Sequence, residues 1–193
     1  MKVSIIKYNA GNVQSVLFAL ERIGINAIVT DDIDLLRSSD KIILPGVGEA
    51  SSAMSYLKER KLDQLIISLT QPVLGICLGM QLMCRYSEEG NTNCLGIFEN
   101  KVKRFSGNFK VPQIGWNNIY DLNTDLYKSV QENEYMYFVH SYYAELGEYT
   151  IAKTNYGSVY SSSLQKNNFY AAQFHPEKSG DAGQKILENF IKL

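Results

Sequence analysis

The run Pro72-Val73-Leu74-Gly75-Ile76-Cys77-Leu78-Gly79-Met80-Gln81-Leu82-Met83 restricts the fold more than any other stretch of the chain. An apolar strand passes here directly into a helix with no linker, so the chain has to turn sharply at Cys77. Gly75 and Gly79 stand two residues on either side of the cysteine. This is the G-x-nucleophile-x-G spacing of a nucleophile elbow, in which small neighbours let a tight strand-to-helix turn lift the reactive side chain clear of a sheet. A sulfur at that junction faces a helix N-terminus, where free N–H groups and the dipole favour thiolate over thiol. The competing reading, a small buried cysteine, fits most cysteines. The flanking glycines and the strand–helix junction weigh against it here.

The flanking sequence has the texture that such an elbow needs. Strands are predicted at residues 2–7, 26–30, 41–44 and 72–76, and Val13, Val16, Leu17, Leu20 and Ile23 recur at helical spacing with Gly24 as the helix cap. Strands that alternate with amphipathic helices imply an α/β fold: a three-layer sandwich whose mixed, mostly parallel sheet carries helices on both faces. From Phe98 onward the texture becomes aromatic and alternating, at 135–140, 149–154, 159–163 and 169–174, and predicts a β-rich second half of largely antiparallel strands. A last helix over 181–193 sets Ile186, Leu187, Phe190 and Ile191 on one face. At 193 residues with 45% hydrophobic content, one domain spanning 1–193 is expected, stable by packing alone.

Charge and cysteine usage narrow the function classes. A formal net charge of −1 offers no long-range field to a polyanion, so no nucleic-acid partner is expected. The longest strongly apolar stretch, 73–80, is far short of a bilayer span, and 3–6 is too short for a secretory leader; the expectation is no membrane segment and a cytoplasmic location. Cys77, Cys84 and Cys94 are an odd set without zinc-like spacing, and there are only two histidines. Reduced thiols, no metal site and no cofactor follow as expectations.

A cysteine that performs acyl transfer needs a base, and Gln173-Phe174-His175-Pro176-Glu177-Lys178-Ser179 offers one. Pro176 favours an extended His175, and on an extended segment residues i and i+2 project to the same side, so Glu177 is expected to reach the imidazole. A carboxylate on Nδ1–H fixes the tautomer and leaves Nε2 for the sulfur. His140, in an aromatic strand without an acidic neighbour at i±2, reads as a half-buried structural residue. Gly46-Val47-Gly48, after the predicted strand at 41–44, can turn backbone N–H groups toward a developing oxyanion. A dinucleotide loop would instead need glycine where Ser51 stands. Trp116, the only tryptophan, is expected on a loop within 111–117 as an aromatic anchor for a partner.

Taken together, Gly75-Ile76-Cys77-Leu78-Gly79-Met80-Gln81 and Phe174-His175-Pro176-Glu177 resemble the class I (triad) glutamine amidotransferases. Pro45 to Gly48, Pro112 to Asn117, Tyr137 to Tyr142 and His175 to Ser179 extend the resemblance from end to end. They point to those members that hydrolyse L-glutamine and pass ammonia to a separate (β/α)8-barrel cyclase, as a heterodimer, making imidazole glycerol phosphate for histidine. The resemblance implies a triad of Cys77, His175 and Glu177. It implies an oxyanion strand of Gly46, Val47 and Gly48, and glutamine binding by these residues together with Gln81, Ser141 and Tyr142. A cyclase-facing surface of Pro112, Gln113, Ile114, Trp116, Asn117, Tyr137 and Lys178 is implied as well. Gln113 replaces a histidine usual in the family, and Ala10 a glycine. A paralogous amidotransferase of surface-sugar synthesis shares these motifs. A cysteine peptidase is separated by assay of glutamine against peptides.

Overall fold

In the computed structural model, which describes residues 1–9 and 11–193, the first half of the chain forms four parallel strands: β1 (Val3–Ile6), β2 (Ala27–Thr30), β3 (Lys41–Leu44) and β4 (Val73–Ile76). Successive side chains alternate between two buried faces. Ile6, Ile42, Leu44 and Val73 join one core cluster, while Ile5, Ile43, Leu74 and Ile76 join the other. β1, β3 and β4 are buried on both faces, which is why they read as mainly apolar runs, whereas β2, at the sheet edge, leaves Ile28 exposed.

Helices α1 (Val13–Arg22), α2 (Ile33–Arg37), α3 (Ala50–Glu59), α4 (Leu62–Ser68), α5 (Leu78–Met83) and α6 (Gly180–Lys192) supply the two outer layers. Val16 and Leu20 of α1 pack with Leu187 and Phe190 of α6 in one cluster; Leu57 of α3, Leu65 of α4 and Met80 of α5 belong to the other. Gly24 ends α1 as expected, with φ 79° and its N–H on the Glu21 carbonyl at 2.9 Å. Ala10, which departs from the family pattern, lies outside the described residues.

The second half adds β5 (Tyr86–Ser87), β6 (Thr92–Asn93), β7 (Lys101–Arg104), β8 (Gln113–Ile119), β9 (Glu134–His140), β10 (Tyr142–Ala144), β11 (Thr150–Tyr156), β12 (Ser158–Lys166) and β13 (Phe169–Ala172). Eleven strands make one sheet in the order β2-β1-β3-β4-β13-β12-β10-β7-β5-β6, with β11 on β12, and β8 pairs with β9 as a separate ribbon. The α/β class and mostly parallel first half are as predicted. β13 joins the halves: it is antiparallel to β12 and parallel to β4, with Ala172 opposite Ile76.

Two local expectations are corrected. The loop expected within 111–117 is largely strand, because β9 pairs with it from Gln113–His140 through Ile119–Glu134. The segment after His175 is not extended either. Pro176–Lys178 forms a 3₁₀ turn, for which proline at the first position supplies the right φ.

Candidate active site

Cys77 follows β4 directly with φ 52° and ψ −106°, a positive-φ backbone that costs a non-glycine residue about 1–3 kcal/mol. The close approach of α5 to the sheet explains its neighbours. A Cβ on Gly79 would fall on the carbonyl oxygen of Leu44 in β3, and one on Gly75 would stand 2.9 Å from the Gly79 carbonyl carbon and the Met80 nitrogen. The elbow predicted from spacing is present. Its helix has only six residues, and the first N–H, that of Leu78, donates to the Gly46 carbonyl at 3.2 Å, so the helix terminus contributes less to the sulfur than the sequence suggested.

The β4–β13 pairing brings the second motif to the elbow. The Cys77 N–H donates to the Ala172 carbonyl at 2.7 Å, so the residues that leave β13 run past the sulfur. His175 is 1% exposed and Glu177 7% exposed; Nδ1 of His175 lies 2.8 Å from Oε1 of Glu177. The pair meets through the 3₁₀ turn instead of through an extended segment. The Ser179 hydroxyl holds the turn by donating to the His175 carbonyl at 2.6 Å. Nε2 of His175 is buried without a conventional partner among the described residues, beside the Cys77 sulfur. Burial opposes the imidazolium, but the sulfur and the Glu177 carboxylate outweigh it and raise the pKa to about 10.

Asn12, which the sequence reading did not single out, leads into α1. Its Nδ2 donates to Glu177 Oε1 and lies 3.4 Å from His175 Nδ1. No spacing rule links residue 12 to residue 177; the nearest signal was its place in the turn after the first strand.

A cavity of about 260 Å³ opens over Cys77 and is lined by Val47, Gly48, Gln81, Ser141 and Tyr142 of the expected set. Gly46 lies behind it, buried, with its carbonyl on Leu78. Both hydrogens of the Gln81 amide are committed, to the Tyr142 carbonyl at 2.8 Å and to Gln173 Oε1 at 2.9 Å. Gln81 therefore offers a ligand only its oxygen. Glu89, not foreseen from sequence, also lines the cavity; burial raises its carboxyl pKa, while the Ala50 N–H opposes that rise.

His140 lines the cavity too and is buried, with Nδ1 on the Tyr142 carbonyl at 2.7 Å and Nε2 3.3 Å from the Tyr160 hydroxyl. Burial lowers its pKa to about 4; the Tyr142 carbonyl moderates the shift and the charge on His175 adds to it. This imidazole is neutral at neutral pH.

The residues expected on a partner surface separate. Ile114 and Trp116 are 55% and 56% exposed, Lys178 is exposed, and Asn117 and Tyr137 are half-buried, with Trp116 packed edge-on to Tyr137 at 5.9 Å. Strand alternation turns Gln113 inward, where its Oε1 accepts from Tyr160 at 3.0 Å. Pro112 lines the Cys77 cavity. The side chain of Gln113 is thus not on the exposed face, contrary to the expectation.

Among the described residues no group of three or more His, Cys, Asp or Glu is arranged to hold a metal ion, and no helix is long and apolar enough to cross a membrane.

Comparison with known proteins agrees with this chemistry. The imidazole glycerol phosphate synthase subunit HisH of Bacteroides fragilis is 57% identical over 196 aligned residues, with all of both chains covered. The HisH subunit of Haemophilus influenzae is 45% identical over all of this chain and 98% of its own. Among solved structures, a putative GMP synthase subunit of Thermoplasma acidophilum matches with TM-score 0.78 at 19% identity, over all of this chain and 92% of its own, a likeness of fold. PurLQS of Thermotoga maritima matches at TM-score 0.70 and 15% identity, covering 99% of this chain and 97% of its own. The family model for glutamine amidotransferase class-I matches residues 5–193, and the chain belongs to that family.

Proposed function

We propose that this chain is the glutaminase subunit of an imidazole glycerol phosphate synthase. It hydrolyses L-glutamine through a thioester on Cys77 and delivers ammonia to a (β/α)8-barrel cyclase with which it forms a heterodimer. Residues 1–193 act as one glutaminase domain, in the cytoplasm. The observation that carries the reading is the strained Cys77 elbow set against the buried His175–Glu177 pair in a chain 57% identical to a HisH subunit over its full length.

In this mechanism His175 Nε2 already holds the proton of Cys77, the thiolate sulfur attacks the carboxamide carbon, and the carbonyl π pair moves onto oxygen. Collapse breaks the C–N bond, and His175 returns its proton to the departing nitrogen, which leaves as ammonia. Water then attacks the thioester with His175 as base. The C–S bond breaks, its electron pair returns to sulfur, and glutamate is released. Glu177, held by Asn12, fixes the tautomer and supports the imidazolium. The Gln81 oxygen and the Glu89 carboxylate are acceptors suited to the ammonium end of glutamine.

Oxyanion stabilisation needs N–H groups aimed at the cavity, and the Leu78 N–H is occupied by the Gly46 carbonyl. That arrangement favours slow hydrolysis by the free chain and faster hydrolysis once a docked cyclase reorients the Gly46–Gly48 segment. Ammonia released into water would be protonated and lost, which makes a docked partner part of the chemistry.

The test is Cys77→Ala in the complex. Glutamine-dependent synthesis should disappear while synthesis from added ammonia persists, because only the nitrogen source is disabled. Equal loss of both activities would sink the assignment.

A further inference from the structure

Beneath the Cys77 cavity runs a line of hydrogen bonds that the mechanism does not use. His140 Nδ1 and Gln81 Nε2 both meet the Tyr142 carbonyl; the second hydrogen of Gln81 goes to Gln173 Oε1, and Gln173 Nε2 lies 3.6 Å from Cys77 Sγ. Every member is buried or half-buried, and Gln173 is 0% exposed.

The polarity of this line is fixed at one end. A backbone carbonyl only accepts, so the Gln81 atom facing Tyr142 must be the NH2 group. That group carries its other hydrogen to Gln173, which must therefore present its oxygen to Gln81. The remaining end of the Gln173 amide, the NH2 group, is then the one that faces the sulfur. An amide that could flip in isolation is held in one orientation by a carbonyl two residues along the network.

We infer that Gln173 is a further catalytic residue, whose amide N–H donates to Cys77 Sγ and holds the sulfur as thiolate, both before attack and when it departs from the thioester. The inference rests on the reading of Cys77 as nucleophile. Hydrogen bonds to ionised acceptors are stronger than those to neutral ones, so the donor favours thiolate over thiol. During the acyl-enzyme stage the sulfur is uncharged and the bond weakens; it strengthens again as the C–S bond breaks. His175 supplies and removes the proton, and Gln173 moves none.

Other ionisable groups lie within electrostatic range of the same sulfur. His175, backed by Glu177, approaches from the turn after β13, Tyr8 from the segment after β1 and Tyr160 from β12. Both phenols are held neutral by burial, so neither changes charge across the range in which the thiol is assayed.

The test is alkylation of the full chain by iodoacetamide as a function of pH, with the labelled cysteine identified by peptide mapping. Gln173→Leu should displace the midpoint of the pH profile of Cys77 labelling upward by about one unit, which lowers the labelling rate about tenfold at pH values well below the wild-type midpoint. Gln173→Glu keeps an oxygen for Gln81 but sets a carboxylate against the sulfur; it should displace the midpoint further, and it serves if the leucine variant fails to fold. A merely structural glutamine would lower glutaminase turnover and leave the midpoint where it was, and that result overturns the inference. Wild-type labelling confined to Cys84 or Cys94 would instead remove Cys77 as nucleophile, and both readings would fall together.

Discussion

His175 and His140 occupy one buried neighbourhood and are driven in opposite directions, one to a pKa of about 10 and the other to about 4. The difference lies in their partners, since burial disfavours the charged form of both. His175 has a sulfur and a carboxylate to pair with, whereas His140 has only a carbonyl and a phenol. Two outcomes follow from replacing each with asparagine. His175→Asn should cost about 10²-fold or more in glutaminase turnover of the complex, as general acid–base groups do, and His140→Asn distinctly less, with ammonia-dependent synthesis as the folding control. If His140→Asn proved the more damaging, the triad would have to be redrawn. The second outcome concerns acid. The folded pKa of His140 lies below its unfolded value of 6.5, so between those values the unfolded chain binds more protons and stability falls as pH falls. The loss should reach about 3 kcal/mol once pH is below 4. Urea unfolding across that window should be flatter for His140→Asn. The His175–Glu177 contact that sets this histidine apart from His140 was legible in the sequence, because a carboxylate two residues away is a local signal. It missed Asn12, Glu89 and Gln173, whose partners are distant along the chain.

At the level of elements, the elbow works because α5 lies almost against β3 and β4. Gly79 is the tightest point, where backbone meets backbone, so a side chain cannot be accommodated by a rotamer change. Gly79→Ala should destabilise the chain by roughly 3 kcal/mol, measured by urea unfolding, with glutaminase activity lost alongside as the elbow shifts. An unchanged unfolding midpoint would mean that the helix can back away from the sheet. Gly75 and Gly79 were legible because the motif is short and contiguous. The β8–β9 ribbon was not. Pro112 and Gly115 interrupt the strand pattern of its first half, and the pairing that makes it a strand comes from residues 134–140, after an intervening 3₁₀ turn. Pairing energy between distant segments overrides local propensity here.

For the whole molecule, the ribbon presents Ile114, Trp116 and Tyr135 to solvent together, all more than half exposed. Three large apolar side chains on one two-stranded ribbon suit a partner surface better than a free one. Trp116→Ala should weaken cyclase affinity by at least about tenfold in a titration, as aromatic anchors do, while changing the melting temperature of the free chain little. Unchanged affinity in a folded variant would exclude the anchor role. The α/β class, the elbow and the His175–Glu177 pair are legible in the chain alone, because each is written in periodicity or in contacts between near neighbours. How those pieces meet depends on the packed fold. The parallel pairing of β13 with β4 lays His175 beside Cys77 across nearly a hundred residues, the residue ahead of α1, Asn12, reaches Glu177, and the alternation of β8 hides Gln113 while exposing Trp116. Those contacts join segments that share no local pattern, and the packed sheet brings them within hydrogen-bonding distance.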